Sequence, residues 1–121
     1  HSRIISGDEG LDELSLAGGN EVAVVEPEGI RMQRTSAADA GLPTYPVAAI
    51  WGGDAQHNAR ELRKLLQGEH GAYRDAVLFN AAEALLVAGV VNTMPEGVEE
   101  AAEAIDKGLA NALLNCWIAY K

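Results

Sequence analysis

The sequence is poor in the residues that build several common kinds of site. It has one cysteine, Cys116, in 121 residues. A lone thiol forms no internal disulfide, so a reducing compartment is the natural expectation. Basic residues are scarce: nine Lys and Arg stand against eighteen Asp and Glu, for a formal net charge of -9. They are scattered, with no patch to receive nucleic-acid phosphates, which such a surface repels. An anionic metabolite remains a feasible ligand only with help from Mg2+ or from backbone N–H groups. Long apolar runs are missing too. The most apolar stretch, Ala76 to Val91, is interrupted by Asn80 and Glu83. A bilayer span needs roughly 20 apolar residues, so this stretch is expected to be a buried core helix. No basic start is followed by an apolar core and a small-residue cleavage site. The expectation is a cytoplasmic protein with no membrane partner.

Nucleophile and zinc chemistry are equally unprovided for. His1, His57 and His70 show no ligand spacing, and the latter two belong to or flank a polar helix face, so all three are expected at the surface. Ser15 has no nearby base to complete a triad. Cys116 falls on the apolar stripe of the last helix and reads as a core thiol.

What is present is a globular composition, 48% hydrophobic and 22% charged, with room for one modest core. Arg3 to Ser6 reads as the end of a strand broken by Gly7. A domain rarely opens inside a strand with unpaired ladder groups, so this start is expected to be a cut one. Glu21 to Glu26 and Ile30 to Thr35 predict a hairpin around Pro27-Glu28-Gly29, with Val22 and Val24 on one face. The connector Ser36 to Gly53 carries two prolines and three glycines, which forbid a long helix.

Three helices are expected after it. The first runs from Ala55 to Gln67, capped by Asp54 and stopped by Gly68, with Ala55, Ala59, Leu62 and Leu66 as its apolar stripe. The second, Tyr73 to Ala88, is apolar nearly all round and belongs at the centre. Asn80 and Glu83 on it are expected to satisfy backbone or connector groups. The third opens with a Thr93/Glu96 capping box and Pro95 in its first turn. Its stripe runs Val98, Ala101, Ala102, Ile105, Leu109, Ala112, Leu113 and Cys116, and Glu103 can pair with Lys107. The predicted class is α+β, a short strand and β-hairpin followed by three α-helices; a chain cut from something larger would form one end of an α/β layer.

Two runs are candidates for chemistry. In Gly10-Leu11-Asp12-Glu13-Leu14-Ser15, adjacent carboxylates follow a strand. Mg2+ takes oxygen ligands, keeps several waters and needs only one or two protein carboxylates. Asp12 and Glu13 suit that ion beside a pyrophosphate, and they equally suit the first turn of a helix. The second run is Gly52-Gly53-Asp54 at a helix mouth. Asp54 would compete with a phosphate for the free N–H groups, so capping is expected there.

Gly10 to Leu16, Ala40-Gly41-Leu42-Pro43, Gly52-Gly53-Asp54-Ala55 with Asn58-Ala59, Arg74 to Ala82, Val87-Ala88-Gly89, and Glu96-Gly97 through Ile105-Asp106-Lys107-Gly108 occur in an order and spacing that is specific as a set. In these the chain resembles the C-terminal part of the α/β domain of anthranilate phosphoribosyltransferases. The resemblance implies transfer of phosphoribosyl from phosphoribosyl pyrophosphate to anthranilate in tryptophan biosynthesis, with Mg2+ held at the pyrophosphate by the acidic pair, here Asp12 and Glu13. It also implies a homodimeric whole enzyme, more than twice this length, with a small helical N-terminal domain. That domain, the glycine-rich phosphate loop and the anthranilate-contacting residues have no counterpart in residues 1–121. The chain alone is therefore expected to be inactive. The alternatives are a non-catalytic binding or assembly module, or a paralogue that keeps the acidic pair and uses another nucleophile.

Overall fold

The computed structural model describes residues 1–120. Three strands, β1 (Ser2–Gly7), β2 (Asn20–Glu26) and β3 (Gly29–Thr35), form an antiparallel sheet in the order β1-β2-β3. Ile5 pairs with Val22, and Val22 in turn with Gln33. The β2–β3 turn closes where Glu26 pairs with Gly29, whose φ of 144 is open only to glycine. Alternation along β2 sends Asn20, Val22 and Val24 inward, as a period of two requires. Short 3-10 turns at Ala37–Ala40 and Val47–Ile50 are the only helical pieces in the connector, consistent with its prolines and glycines.

Helices α1 (Ala55–Leu66) and α2 (Ala72–Val87) stand within a residue or two of the predicted bounds. Asp54 caps α1, accepting the His57 N–H at 2.7 Å. Only the C-terminal half of the predicted α1 stripe packs. Leu65 is buried and Leu62 and Leu66 partly so, while Ala55 and Ala59 are exposed.

Helix α2 lies between two cores, which accounts for its all-round apolarity. Phe79, fully buried, and Ala76 join Leu14, Leu16, Val22, Val24, Ala37 and Ala40 toward the sheet. Leu78 packs with Leu65, Ala101 and Ile105 on the other side. Helix α3 (Met94–Asp106) crosses α2 at Gly97, where a Cβ would lie 2.7 Å from the Ala82 Cβ. The crossing is locked at its end by Arg74, 4% exposed, which donates to both Asp106 carboxylate oxygens at 2.8 and 3.0 Å.

The third predicted helix is in fact two. It ends at Asp106, Gly108 takes a left-handed φ of 77, and α4 (Leu109–Ala119) starts as a separate helix. Consequently the stripe does not continue. Val98, Ala101, Ala102 and Ile105 pack, whereas Leu109 and Leu113 are 61% and 71% exposed. Cys116 is exposed rather than a core thiol. The α3 cap is also shifted. Thr93 Oγ1 accepts the Glu96 N–H, but Glu96 reaches back to the N–H of Asn92, one residue before the expected partner. Glu103 and Lys107 form the anticipated ion pair. Among the described residues no helix is long and apolar enough to cross a membrane.

Candidate functional site: the loop between the first two strands

The acidic pair lies in the loop joining β1 to β2, in extended and bent backbone with no helix. The first-helical-turn reading of Asp12 and Glu13 is thereby excluded. The loop leaves the sheet through tight backbone bonds. Gly10 N–H donates to the Gly7 carbonyl at 2.9 Å, Gly7 N–H to the Leu11 carbonyl at 3.0 Å, and Asp8 N–H to the Gly19 carbonyl at 3.0 Å. Gly10 has a φ of 86, a left-handed conformation that side chains resist. Asp12 and Glu13 are exposed, and the next three residues plunge inward: Leu14, Ser15 and Leu16 are 1%, 1% and 3% exposed. Two carboxylates thus stand at the rim of the core on a firmly seated backbone.

Two asparagines seat it. From α2, Asn80 Oδ1 accepts the Leu14 N–H at 2.8 Å while its Nδ2 donates to the Leu14 carbonyl at 3.1 Å. From β2, Asn20 Oδ1 accepts the Ser15 N–H at 2.6 Å while its Nδ2 donates to the Ser15 and Thr35 carbonyls at 3.1 and 3.2 Å. Each side-chain amide pairs with both backbone groups of one loop residue, as a neighbouring strand would. Ser15 Oγ accepts the Ala17 N–H at 3.1 Å, and the residue is buried, so it is a structural turn and not a nucleophile.

The local charges are sorted. Asp8 is ion-paired with Arg34, which also approaches Glu21 at 3.7 Å. Among the described residues Asp12 and Glu13 have no such partner, and no group of three or more His, Cys, Asp or Glu is placed to enclose an ion. Two exposed, all-oxygen donors that leave the other coordination positions to water fit Mg2+ and do not fit zinc. Glu13 and Asn80 also line a groove of about 330 Å³ that runs to Ile50 and Tyr73. The half-buried Tyr45 phenol is held above its ordinary pKa, first by burial and then by the Asp75 carboxylate beside it.

The remaining candidates fall outside this site. Gly52-Gly53-Asp54 is a cap, as expected. Asn58 Oδ1 accepts the Gly53 N–H at 2.8 Å and its Nδ2 donates to the Gly53 carbonyl at 3.2 Å, repeating the asparagine clamp at the surface. His57 is half-buried; His1 and His70 are exposed. Among the described residues Glu83 serves no backbone or connector group but is ion-paired with Arg3 of β1, both largely buried. Sequence reasoning placed Asn80 correctly as a partner of backbone groups. It missed Asn20, whose only signal was an amide at the inward-facing start of a strand.

A three-stranded antiparallel sheet packed against helices, with a seated acidic loop off its first strand, defines an α+β unit. Residues 1–111 match the glycosyl transferase family, a/b domain, and the chain belongs to that family. It is 81% identical over its whole length to the anthranilate phosphoribosyltransferase of Sphingopyxis alaskensis, of which it covers 36%. It is 72% identical over 98% of its length to that of Novosphingobium aromaticivorans, again covering 36%. The crystal structure of the Thermus thermophilus enzyme superposes with a TM-score of 0.85 at 34% identity, over 97% of this chain and 34% of that one. The Saccharomyces cerevisiae enzyme in complex with phosphoribosyl pyrophosphate and Mg superposes with a TM-score of 0.85 at 25% identity, over 93% of this chain and 33% of that one. The chain thus spans about a third of the length of these relatives.

Proposed function

We propose that the chain is the C-terminal portion of the α/β domain of an anthranilate phosphoribosyltransferase, and that Asp12 and Glu13 are its Mg2+ ligands. The observation that carries this reading is the placement of two exposed carboxylates, unpaired among the described residues, on a loop whose next two residues are clamped through both their backbone groups. The relatives support the reaction. They are named as this transferase, and yeast structures hold phosphoribosyl pyrophosphate with Mg, or 4-fluoroanthranilate. None of those names favours the assembly-module alternative or a paralogue with another nucleophile.

As the ribose C1–O bond breaks, negative charge accumulates on the departing pyrophosphate. Bound Mg2+ supplies the counter-charge that stabilises this leaving group. Asp12 and Glu13 hold and aim the cation, and the loop fixes their position. The amine of anthranilate attacks a cationic carbon, a step that needs alignment more than proton removal, in keeping with the absence of a His or Cys constellation among the described residues. In this reading the phosphate loop, the amine pocket and the helical domain of a homodimeric whole enzyme lie outside residues 1–121. The setting is cytoplasmic biosynthesis.

The test is to join the chain to the part of the Sphingopyxis alaskensis relative that it does not span and follow consumption of anthranilate. The joined protein is expected to turn over, the 121-residue chain alone to show none, and Asp12→Ala to lower kcat about 10²-fold or more. Turnover by the isolated chain, or an Asp12→Ala protein as fast as wild type, contradicts the reading.

A further inference from the structure

We infer that Asn80 is a positioning residue for the cation site, an inference that rests on the proposed metal role of Asp12 and Glu13. It touches neither carboxylate by hydrogen bond. It holds the backbone of Leu14, the residue directly after Glu13, from both sides, and it shares a groove wall with Glu13 itself. Its own orientation is fixed, because Nδ2 also donates to the Ala76 carbonyl one turn back on α2 at 3.0 Å. Ala76 sits in the same core as Leu14 and Phe79. The chain of support therefore runs from the packed centre of α2, through one amide, to the peptide that carries the acids.

The physical consequence is preorganisation. Adjacent carboxylates on a free loop lose conformational freedom when they converge on one ion, and that loss is subtracted from affinity. A loop already pinned at Leu14 and Ser15 has little left to lose. Groups behind metal ligands commonly set affinity in this way. An amide is the side chain the job needs, because it must donate to one carbonyl and accept from one N–H of the same residue. A carboxylate at position 80 has the same shape but no donor. It also adds negative charge near the acids, so the Asp variant separates geometry from electrostatics: charge alone predicts tighter cation binding, positioning predicts weaker.

The structure supplies its own control. Asn58 clamps Gly53 with the same pair of bonds but at the mouth of α1, and its side chain makes no hydrogen bond to the backbone of residues 11–16. The experiment is a titration of the isotope-labelled 121-residue chain with Mn2+, an oxygen-seeking stand-in for Mg2+, read as paramagnetic broadening of the amide signals of residues 11–16. In wild type these are expected to broaden first. Asn80→Ala and Asn80→Asp are expected to need about tenfold more Mn2+, with Asn58→Ala unchanged and Asp12→Ala or Glu13→Ala abolishing the effect. If Asn80→Ala unfolds, the isosteric Asn80→Asp carries the comparison. Asn80 variants that match wild type, or an Asn58→Ala as weak as Asn80→Ala, overturn the positioning role while leaving the metal reading intact. Wild-type signals that do not broaden, or Asp12→Ala and Glu13→Ala that behave as wild type, overturn both.

Discussion

Asn20, Asn58 and Asn80 make the same pair of bonds to a single backbone residue, and burial separates their consequences. Asn20 is fully buried and serves Ser15, itself 1% exposed. Removing its amide strands the Ser15 N–H and carbonyl where water cannot follow, and an unsatisfied buried group costs about 1–3 kcal/mol. Asn20→Ala is accordingly expected to lower unfolding free energy by about 3 kcal/mol in a urea titration, given partial relaxation. Asn58 and Gly53 are exposed, so Asn58→Ala is expected to change stability by no more than about 0.5 kcal/mol. Equal effects would show that burial does not govern these clamps. None of this is visible along the chain. The acids Asp12 and Glu13 stand out by type and adjacency, whereas a clamp pairs Leu14 with Asn80, 66 positions away, and is specified only by the fold.

At the scale of elements, local chemistry was legible and long-range chemistry was not. Asp54, Thr93 and the Pro27-Glu28-Gly29 turn announce themselves because capping and hairpin closure are satisfied within a few residues. The break at Gly108 was hidden because the apolar spacing from Val98 to Cys116 continues across it, and one glycine within a helical pattern is tolerable. The Arg3–Glu83 pair was hidden because it joins the first strand to the central helix.

The α2–α3 crossing yields two predictions. Gly97→Ala drives a methyl into Ala82, including its Cα at 2.8 Å, and the helices must part. An overpacking loss of about 1–3 kcal/mol is expected in thermal or urea unfolding; a neutral result would show that the crossing is loose. Asp106 has its carboxyl pKa held below the ordinary 3.8, first by the hydrogen bonds from Arg74 and then by the positive charges of Arg74 and His70, against some desolvation. A depressed native value means that the stabilisation is present above the unfolded pKa, near 4, and is lost as pH falls through the lower folded one. Asp106→Asn is therefore expected to lower Tm at pH 7 and to flatten the fall of Tm on the acid side below about pH 4. An unchanged acid limb would remove Asp106 from that role.

The whole molecule exposes 7476 Å², against about 6,300 Å² for a compact monomer of its mass. The excess has an address. Ile4, Ile30 and Met32 on the outer face of the sheet are 65%, 70% and 61% exposed, and Leu113 and Trp117 on α4 are 71% and 75% exposed. Apolar faces of this kind seek cover. The isolated chain is expected to elute above its 12.8 kDa mass in size-exclusion chromatography, and Leu113→Glu with Trp117→Glu to move it toward monomer. A monodisperse wild-type monomer would contradict this.

A chain that spans a third of its relatives is thus proposed to carry the cation half of a phosphoribosyl transfer site. The decisive experiment is calorimetric titration with phosphoribosyl pyrophosphate in the presence of Mg2+, on the protein joined to the part of its relative that this chain does not span. Wild type is expected to bind, and Asp12→Ala to lose at least about tenfold in affinity. Equal binding by the two proteins would remove the acidic pair from the site.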